Sequence, residues 1–388
     1  MRPPTYYPSR RELLASFLAA RAMAADAKLP AEPVAIAKCP SYDQDQVALM
    51  KGMFGQLGGL ERLVRNKTVT VKLNLTGSPA LRLKGRPLGS THYSHPKQIA
   101  AFTHLLGEAG AKRIRLVESA WGTAGPLDEY MLDSGWNVRQ ILGAAPNVEL
   151  VNTNGLTWSG KYVKFPVRSQ GAGKAEIFPS YTLHPVYEQT DVFVSMAKLK
   201  EHANCGVTLA SKNIFGITPA SIYGDDAGVD EPNERPTAGR ASVCHFGKRQ
   251  PSKIADAEID PQSSREANHR MPRITAELIA ARPIHISIID GIETMDVGEG
   301  PWIKRKDRPE PKPVAPGVMI IGTNPVNTDA VATAVMGFDP RESRGKGAFR
   351  DCDNFFHFAE ALGVGTADLN RIEVRGVKIE DAMYRFAG

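Results

Sequence analysis

Cysteines are few in this sequence, and no two of them have the spacing of a metal-binding pair. The 388 residues include four cysteines, and no two of these form a CxxC pair. The spacing of a zinc ribbon or of a ferredoxin-type iron–sulfur motif is therefore missing. We expect free thiols and no ferredoxin-type cluster, and the sequence leaves any other cofactor unknown. The cysteines are Cys39, Cys205, Cys244 and Cys352.

Long basic runs and long apolar runs are also missing. The formal net charge is +6, yet no run of about five or six Lys and Arg residues occurs, so we expect no nucleic-acid partner. After the N-terminal stretch, no segment has about 18 consecutive uncharged apolar residues, so we expect no stable membrane span. GxGxxG, P-loop and GxSxG motifs are missing too. A basic pocket for a small anion fits this charge balance.

The N-terminal stretch SRRELLASFLAARAMAADA contains twin arginines, Arg10 and Arg11, followed by a weakly apolar region. It ends in an A-x-A pattern at residues 25–27, as is typical of a twin-arginine export signal. Arg21 interrupts the apolar region, so an ordinary amphipathic N-terminal helix is the alternative. We expect residues 1–30 to be this signal or an N-terminal extension. The signal would make the protein exported or periplasmic, and the alternative location is the cytoplasm.

Strand and helix patterns alternate along the rest of the chain. Residues 68–75, for example, place Val69, Val71, Leu73 and Leu75 on one face. The alternation predicts an α/β fold, with an open, mostly parallel sheet and helices on both faces, in a single domain over residues 31–388. Strands are predicted at 33–39, 68–75, 113–119, 148–152, 191–197, 284–290 and 317–322, and helices at 97–109, 273–281, 327–336 and 354–362.

Two segments interrupt this alternation. Residues 156–180, which include WSGKYVKFPV, predict a hairpin or β insertion. Residues 220–268 are polar and rich in Pro, Gly and charge, and they are too long for an idle connection in a compact domain. We expect this second segment to be either a functional lid or partly disordered.

Polar or ionisable side chains follow five of the predicted strands. In open parallel sheets, ligands bind outside the carboxyl ends of the strands, so we expect these side chains to converge on one crevice. The alternative is that strand ends enter loops, which are polar anyway. The residues are Lys72, Asn74, Glu118, Ser119, Lys198, Lys200, His202, Asp290, Asn324 and Asp329, with Lys212 and Asn213 shortly after His202.

These residue types indicate an anion and a proton transfer. Several lysines can gather around a carboxylate or phosphate, and a lysine buried near other cations can act as a base or nucleophile. The ordinary pKa of histidine is near neutral, which suits a general acid or base. We predict Lys200, His202 and Asp290 as catalytic residues and the other nine as substrate-binding residues. A solvated or merely ion-paired role is the alternative for each.

Two histidine spacings can chelate a metal, but neither is specific without further ligands. They are the HxxH of His92 and His95 and the HxxC of His202 and Cys205. His95 precedes Pro96 and is more simply a helix-entry residue, and Cys205 is more simply a small buried residue. Three lysines nearby favour an anion, so we predict no metal site.

The segment GTNPVNTDAV, residues 322–331, brings Asn324 and Asn327 to a predicted helix N-terminus. Such a terminus is a ready anion-binding position. The alternative is simple N-capping by Asn327 and pairing of Asp329 with the helix dipole.

Several blocks of the sequence, in order, resemble a bacterial and archaeal family known as the domain of unknown function 362. They are TVTVKLNLTG, IAAFTHLLGEAGAKRIRLVES, SMAKLKEHANCGVTLASKNIFGITP, IIDGIETMDVGEGPW and IGTNPVNTDAVATAVMGFDP. The resemblance runs from about residue 65 to the end and implies one α/β domain of uncharacterised activity. Some relatives carry an added ferredoxin-like segment, which this chain lacks, and some begin with twin-arginine signals. The family supplies no agreed catalytic residues.

Two functions follow from these observations. The first is an enzyme that acts on a small anionic metabolite held by lysine and asparagine side chains. The second is a non-catalytic redox-accessory protein that holds a metal or cofactor.

Overall fold

The centre of the molecule is one eight-stranded sheet. The computed structural model describes residues 29–156, 160–302 and 308–387. The predicted export signal lies outside these residues. In chain order, the sheet strands are β1 (Val34–Lys38), β2 (Thr68–Lys72), β3 (Arg113–Glu118), β4 (Val148–Asn152), β5 (Val192–Lys198), β6 (Ile286–Gly291), β7 (Val318–Gly322) and β8 (Val374–Gly376).

The spatial order of the strands is β8-β1-β7-β6-β5-β2-β3-β4. All neighbouring pairs are parallel except those made by β7, which is antiparallel to β1 and to β6. The predicted mostly parallel sheet is therefore confirmed. Because β7 runs in the opposite direction, its last residues lie at the edge of the sheet opposite to the one where the other strands end.

Helices cover both faces of the sheet, as predicted. One face packs against α1 (Gln46–Gln56), α2 (Pro96–Glu108), α3 (Leu127–Asp133) and α4 (Val138–Leu142). The other face packs against α5 (Leu209–Asn213), α6 (Ala267–Ala281), α7 (Pro325–Val335) and α8 (Phe355–Ala361). Shorter helical turns are Glu61–Val64, Leu88–Thr91, Ala220–Tyr223 and Ile379–Ala382.

The alternation of side chains along β5 shows how the two cores form. Phe193 packs into the core under α5–α8, whereas Val194 and Met196 pack into the core under α1–α4. Successive strand residues point to opposite faces, so a strand covered on both sides is mostly apolar. Every residue of β5 is buried.

The seven predicted strands are present within a few residues of their expected bounds, but sequence patterns did not reveal α1, α3, α4 or β8. The predicted insertion contains a hairpin in which Val163–Pro166 pairs with Ser180–Leu183. Within the described residues, no helix is both long enough and apolar enough to cross a membrane.

Helix α5 carries Lys212 and Asn213, and a single carboxylate fixes its start. Asp329, on α7, is completely buried, and its two oxygens accept hydrogen bonds from the backbone N–H groups of Ala210 and Ser211 (2.8 Å each). Burial raises the pKa of Asp329 to about 7, although these donors act in the other direction. Asp329 on α7 therefore holds the first turn of α5 in place.

We expect the substitution Asp329→Ala to leave two buried N–H groups without acceptors. Each orphaned donor costs about 1–3 kcal/mol, so the free energy of unfolding should fall by several kcal/mol. Urea denaturation measures this loss. The control is Asp43→Ala, which removes an exposed ion pair with Lys97 and should cost less than about 1 kcal/mol. Equal losses in the two variants would contradict the anchoring role.

Candidate functional site

A cavity of about 550 Å³ opens beyond the carboxyl ends of β2, β3 and β5. Asn74 follows β2, Glu118 ends β3, and Lys200 and His202 follow β5. This is the edge at which open parallel sheets bind ligands, and the volume suits a small molecule. The cavity is therefore the candidate functional site.

The long polar segment at residues 220–268 forms one wall of this cavity. It supplies Gly239, Arg240, Ala241 and His245 to the lining. Residues Ala241–His245 form a π-helical turn, a rare geometry that occurs frequently at functional sites. The segment therefore forms part of the cavity wall.

Seven of the twelve predicted site residues line the cavity, and the other five do not. Lys72 lies directly behind the lining, where its ammonium pairs with Glu118. Lys198 and Asp290 pair with each other, and Asn324 and Asp329 lie on α7 or at its start. The seven lining residues are Asn74, Glu118, Ser119, Lys200, His202, Lys212 and Asn213.

Two of the buried lysines have carboxylate partners. Lys72 Nζ lies 2.6 Å from Glu118 Oε1, and Glu118 Oε2 accepts from the Leu75 N–H (2.8 Å). Burial raises the pKa of Glu118 and lowers that of Lys72, while the pair's attraction opposes both shifts. A Cβ at Gly216 would lie 2.7 Å from both charged atoms, so any other residue there would displace this pair.

The second pair joins the ends of β5 and β6. Lys198 Nζ lies 2.7 Å from Asp290 Oδ2 and 2.6 Å from the Tyr42 hydroxyl, and the side chains of Lys198 and Asp290 are fully buried. The Tyr42 hydroxyl also donates to Asp290 (2.9 Å), and the Tyr42 ring stacks on His95 at 3.5 Å. The structure therefore places Asp290 in a buried network rather than beside His202.

Lys200 and Lys212 differ from these two lysines because neither has a carboxylate within salt-bridge distance among the described residues. Lys200 Nζ contacts the His92 ring (2.9 Å to Nδ1) and donates to the Glu299 main-chain carbonyl (3.2 Å). Lys212 Nζ lies 4.3 Å from the centroid of the Phe215 ring. Both lysines are at least nine-tenths buried and line the cavity.

Burial and neighbouring cations lower the pKa values of these two lysines. The pKa of Lys200 falls well below its ordinary value, mainly through burial, with Lys212 and Lys198 contributing. The pKa of Lys212 falls to about 8, again mainly through burial. A bound anion would stabilise the charged form of both side chains.

His202 presents one ring nitrogen toward a neighbouring carboxylate. Its Nδ1 accepts the Asn204 backbone N–H (3.1 Å) and lies 3.9 Å from Glu299 Oε2. An accepting Nδ1 places the proton of the neutral ring on Nε2. Burial, followed by the charge of Lys212, holds the pKa of His202 well below its ordinary value. The carboxylate nearest to His202 here is therefore Glu299, where the sequence pointed to Asp290.

Two polar atoms on lining residues have no hydrogen-bond partner. They are Oδ1 of Asn74, whose side chain is buried, and Nδ1 of His245. Buried polar atoms nearly always have partners, and exceptions call for an explanation such as a ligand. Asn213 is better satisfied, since its Nδ2 donates to Ser195 Oγ (3.0 Å).

Asn324 and Asp329 do not line the cavity, and they accept hydrogen bonds from the first turns of helices. Asn324 is the N-cap of α7, and its Oδ1 accepts from the N–H groups of Val326 (2.9 Å) and Asn327 (3.1 Å). The capping alternative is therefore the better description of this segment, with Asn324 in the role predicted for Asn327. The reversed direction of β7 explains why these residues lie away from the other strand ends.

The histidine and cysteine spacings do not assemble a metal site within the described residues, where no group of three or more His, Cys, Asp or Glu side chains could hold an ion. His95 caps α2 by accepting the Lys97 N–H at 3.2 Å. Cys205 is buried with its sulfur 3.5 Å from Thr275 Oγ1, and burial raises the pKa of its thiol to about 11. Both residues have the structural roles that the sequence favoured.

Sequence reasoning missed several residues of the cavity wall. Arg240 and His245 come from the long polar segment, and Glu299 and Trp302 come from DVGEGPW, residues 296–302, which the sequence patterns did not connect with the site. Trp121 stands just after β3 at the cavity and is 49% exposed. A signal for Glu299 and Trp302 existed, since this loop follows β6 closely along the chain.

The fold and the site define an α/β protein with a cation-lined cavity at the carboxyl edge of its sheet. The family model described as Domain of unknown function (DUF362) matches residues 69–334, so the chain belongs to this family. The resemblance seen in the sequence is confirmed.

Comparison with curated proteins and with solved structures does not assign a function to the chain. The chain is 26% identical over 191 residues to a thylakoid-associated protein of Synechocystis sp.. The alignment covers 49% of this chain and 51% of the relative, so the chain spans about half the length of the curated relative it matches. No solved structure matches the chain.

We expect Asp290→Asn to destabilise the fold strongly, because it leaves the Lys198 ammonium buried without its counter-charge. Breaking a buried ion pair by neutralising one partner costs about 3–5 kcal/mol. Chemical denaturation measures this loss. The matched control is Glu108→Gln, at the exposed pair with Lys51, which should cost less than about 1 kcal/mol. If Asp290→Asn lowered the free energy of unfolding only as much as the control does, the pair of Lys198 and Asp290 would contribute little to stability.

The pKa of Lys212 predicts a pH dependence of stability. Lys212 titrates at about 8 in the folded chain, against an ordinary value of 10.5. Between these values the unfolded chain holds more protons, so this group makes the wild type more stable as pH rises. The change is at most about 3 kcal/mol.

We therefore expect the Lys212→Met variant to be more stable than the wild type near about pH 7, and the difference to shrink toward about pH 10. Loss of the contact with Phe215 offsets part of this gain. Urea denaturation at several pH values tests the trend. The control is Lys51→Met, an exposed site at which the difference should not vary with pH. A pH-independent difference at Lys212 would contradict this account.

Proposed function

We propose that the protein is an enzyme that binds a small anionic metabolite, a carboxylate or phosphate, in this cavity. The observation that carries the proposal is that two buried lysines of the wall, Lys200 and Lys212, have no carboxylate within salt-bridge distance in the part of the chain that the structure describes. The other two buried lysines, Lys72 and Lys198, each have one at 2.6–2.7 Å. A bound anion would be the missing partner.

The charges around the cavity support this proposal. The lining contains three cationic side chains, Lys200, Lys212 and Arg240, and two carboxylates, Glu118 and Glu299. Glu118 is already paired with Lys72 behind the wall, so the four cations Lys72, Lys200, Lys212 and Arg240 face only two carboxylates. Cations that are held in a desolvated cavity attract an anion more strongly than the same cations in water.

The lining residues also provide groups for proton transfer. His202 presents Nε2–H in its neutral form, and Glu299 lies 3.9 Å from the other ring nitrogen. Binding of an anion beside Lys212 would offset the positive charge that lowers the pKa of His202, and would bring the imidazole closer to its ordinary range. His202 is therefore the proposed general acid or base, with Lys200 as a second candidate.

Aromatic side chains complete the cavity. Trp121 and Trp302 line it while remaining 49% and 39% exposed, and Phe215 lies deeper, under Lys212. Ligand sites commonly combine apolar walls with a few placed polar groups. The carbon skeleton of the metabolite would contact these rings while its anionic group contacts the cations.

A thermal-shift screen against phosphate and a panel of mono- and dicarboxylates tests the proposal. A ligand at 100 times its dissociation constant adds about 2.7 kcal/mol of stability, which gives a readily measured rise in melting temperature. The rise should disappear in Lys212→Met and persist in Lys51→Met, an exposed lysine elsewhere on the surface. A panel without any stabilising anion, or a response that survives Lys212→Met, would refute the proposal.

Calorimetry separates specific binding from general charge screening. Because an anion raises the lowered pKa values of Lys200 and Lys212, binding near about pH 8 should take up protons. The measured enthalpy will then depend on the ionisation enthalpy of the buffer. An anion that stabilises the protein by screening alone will show no such dependence.

A further inference from the structure

The four buried lysines at the sheet edge differ in what surrounds each ammonium group. Lys72 and Lys198 are held as ammonium ions by carboxylates, and Lys212 lies over an aromatic ring, which also favours the charged form. Among the described residues, the hydrogen-bond partners of Lys200 Nζ are neutral, the His92 ring and the Glu299 main-chain carbonyl, and the Glu299 carboxylate acts on it from beyond salt-bridge distance. Of the four, Lys200 is therefore in the environment best suited to a neutral amine.

We propose that Lys200 forms a covalent imine with the carbonyl group of a 2-oxo carboxylate bound in the cavity. This inference rests on the proposed anion-binding function and names its substrate class. The carboxylate of such a substrate would contact Lys212, and the adjacent carbonyl carbon would face Lys200.

The position of Lys200 meets the requirements of a nucleophilic lysine. Its side chain is 1% exposed yet lines the cavity, so a ligand can reach a desolvated amine. An amine attacks a carbonyl only when it is unprotonated, and a desolvated site next to other cations favours that form. Burial and the charges of Lys212 and Lys198 lower the pKa of Lys200 in this way.

The neighbours of Lys200 can carry the protons that imine formation moves. The Nζ lone pair attacks the carbonyl carbon, a C–N bond forms, and the carbonyl π electrons move to oxygen. The nitrogen then releases two protons in turn and the oxygen takes up both, so that the C–O bond breaks, the C=N bond forms and the oxygen leaves as water. His92, at 2.9 Å from Nζ, can accept each proton as the nitrogen releases it and pass it to the oxygen. A further proton, taken up from solvent, gives the protonated imine.

Imine formation needs no oxidant, reductant or second substrate. The amine and the oxo acid give the imine and one water molecule. The protonated imine withdraws electrons from the neighbouring carbon, which weakens an adjacent C–C or C–H bond. The class of reaction implied is a lyase or a proton abstraction next to a carbonyl group.

Trapping with borohydride tests the proposal on the full chain. The protein is incubated with pyruvate, 2-oxoglutarate or phenylpyruvate and then with sodium borohydride, which reduces an imine to a stable secondary amine. We expect one oxo acid to add the mass of a single reduced adduct per chain, and peptide mapping of the wild type to locate it on Lys200. Lactate, which has a carboxylate but no ketone, should give none.

The control variants separate the two lysines of the cavity. Lys200→Met should lose the adduct, whereas Lys212→Met should retain Lys200 and form the adduct only at oxo-acid concentrations at least tenfold higher. Because Lys200→Met could fail to fold, the peptide map of the wild type is the deciding measurement. An adduct spread over surface lysines, or no adduct with any of the oxo acids, overturns the proposal.

Thermal shifts recorded with the same compounds distinguish this failure from failure of anion binding. If lactate and the oxo acids all stabilise the protein but none forms an adduct, the imine is wrong and the anion-binding function stands. If none of the compounds stabilises the protein and none forms an adduct, the 2-oxo carboxylate assignment fails together with the carboxylate form of the proposed function.

Discussion

A buried ammonium group needs a negatively charged partner, and this requirement determines which side chains meet at the carboxyl edge of the sheet. Lys198 and Asp290 meet this requirement by joining β5 to β6, and Lys72 and Glu118 meet it by joining β2 to β3. Each pair is desolvated, so it contributes less to stability than its short distance suggests, but removing one partner is costly. These pairs therefore fix the strand ends on which the cavity is built.

The same requirement makes Lys200 and Lys212 the exceptional residues of the structure. A cation left without a counter-charge in a desolvated wall destabilises the empty protein, and natural proteins accept such costs mainly where function needs them. The unpartnered Asn74 Oδ1 and His245 Nδ1 lie on the same wall. A ligand in the cavity would supply partners for these two atoms as well as a counter-charge for the lysines.

Much of the fold could be predicted because buried strands are marked in the sequence by apolar runs, as in β7, or by alternating apolar residues, as in β2. Such runs do not carry direction, so the reversal of β7 and the displacement of Asn324 could not be foreseen. Seven of the residues chosen from the strand ends line one cavity. Asp290, predicted as catalytic, pairs with Lys198, and Glu299 lies near His202; both follow β5 at a distance in sequence, and only folding decides which approaches.

The different surroundings of Lys198 and Lys200 could not be predicted from the sequence. Side chains two residues apart in a strand point to the same side, which suggests a shared role for the two lysines. Strand β5, however, ends at Lys198, which is its last residue paired with β6. Leu199 and Lys200 lie beyond this pairing, so the alternation of side chains along the strand does not fix the direction of Lys200. Lys198 therefore turns to Asp290 and Tyr42, and Lys200 turns to His92 and the cavity. A strand that ended two residues later would give Lys200 the same orientation as Lys198, and the cavity would lose the amine on which its proposed chemistry depends.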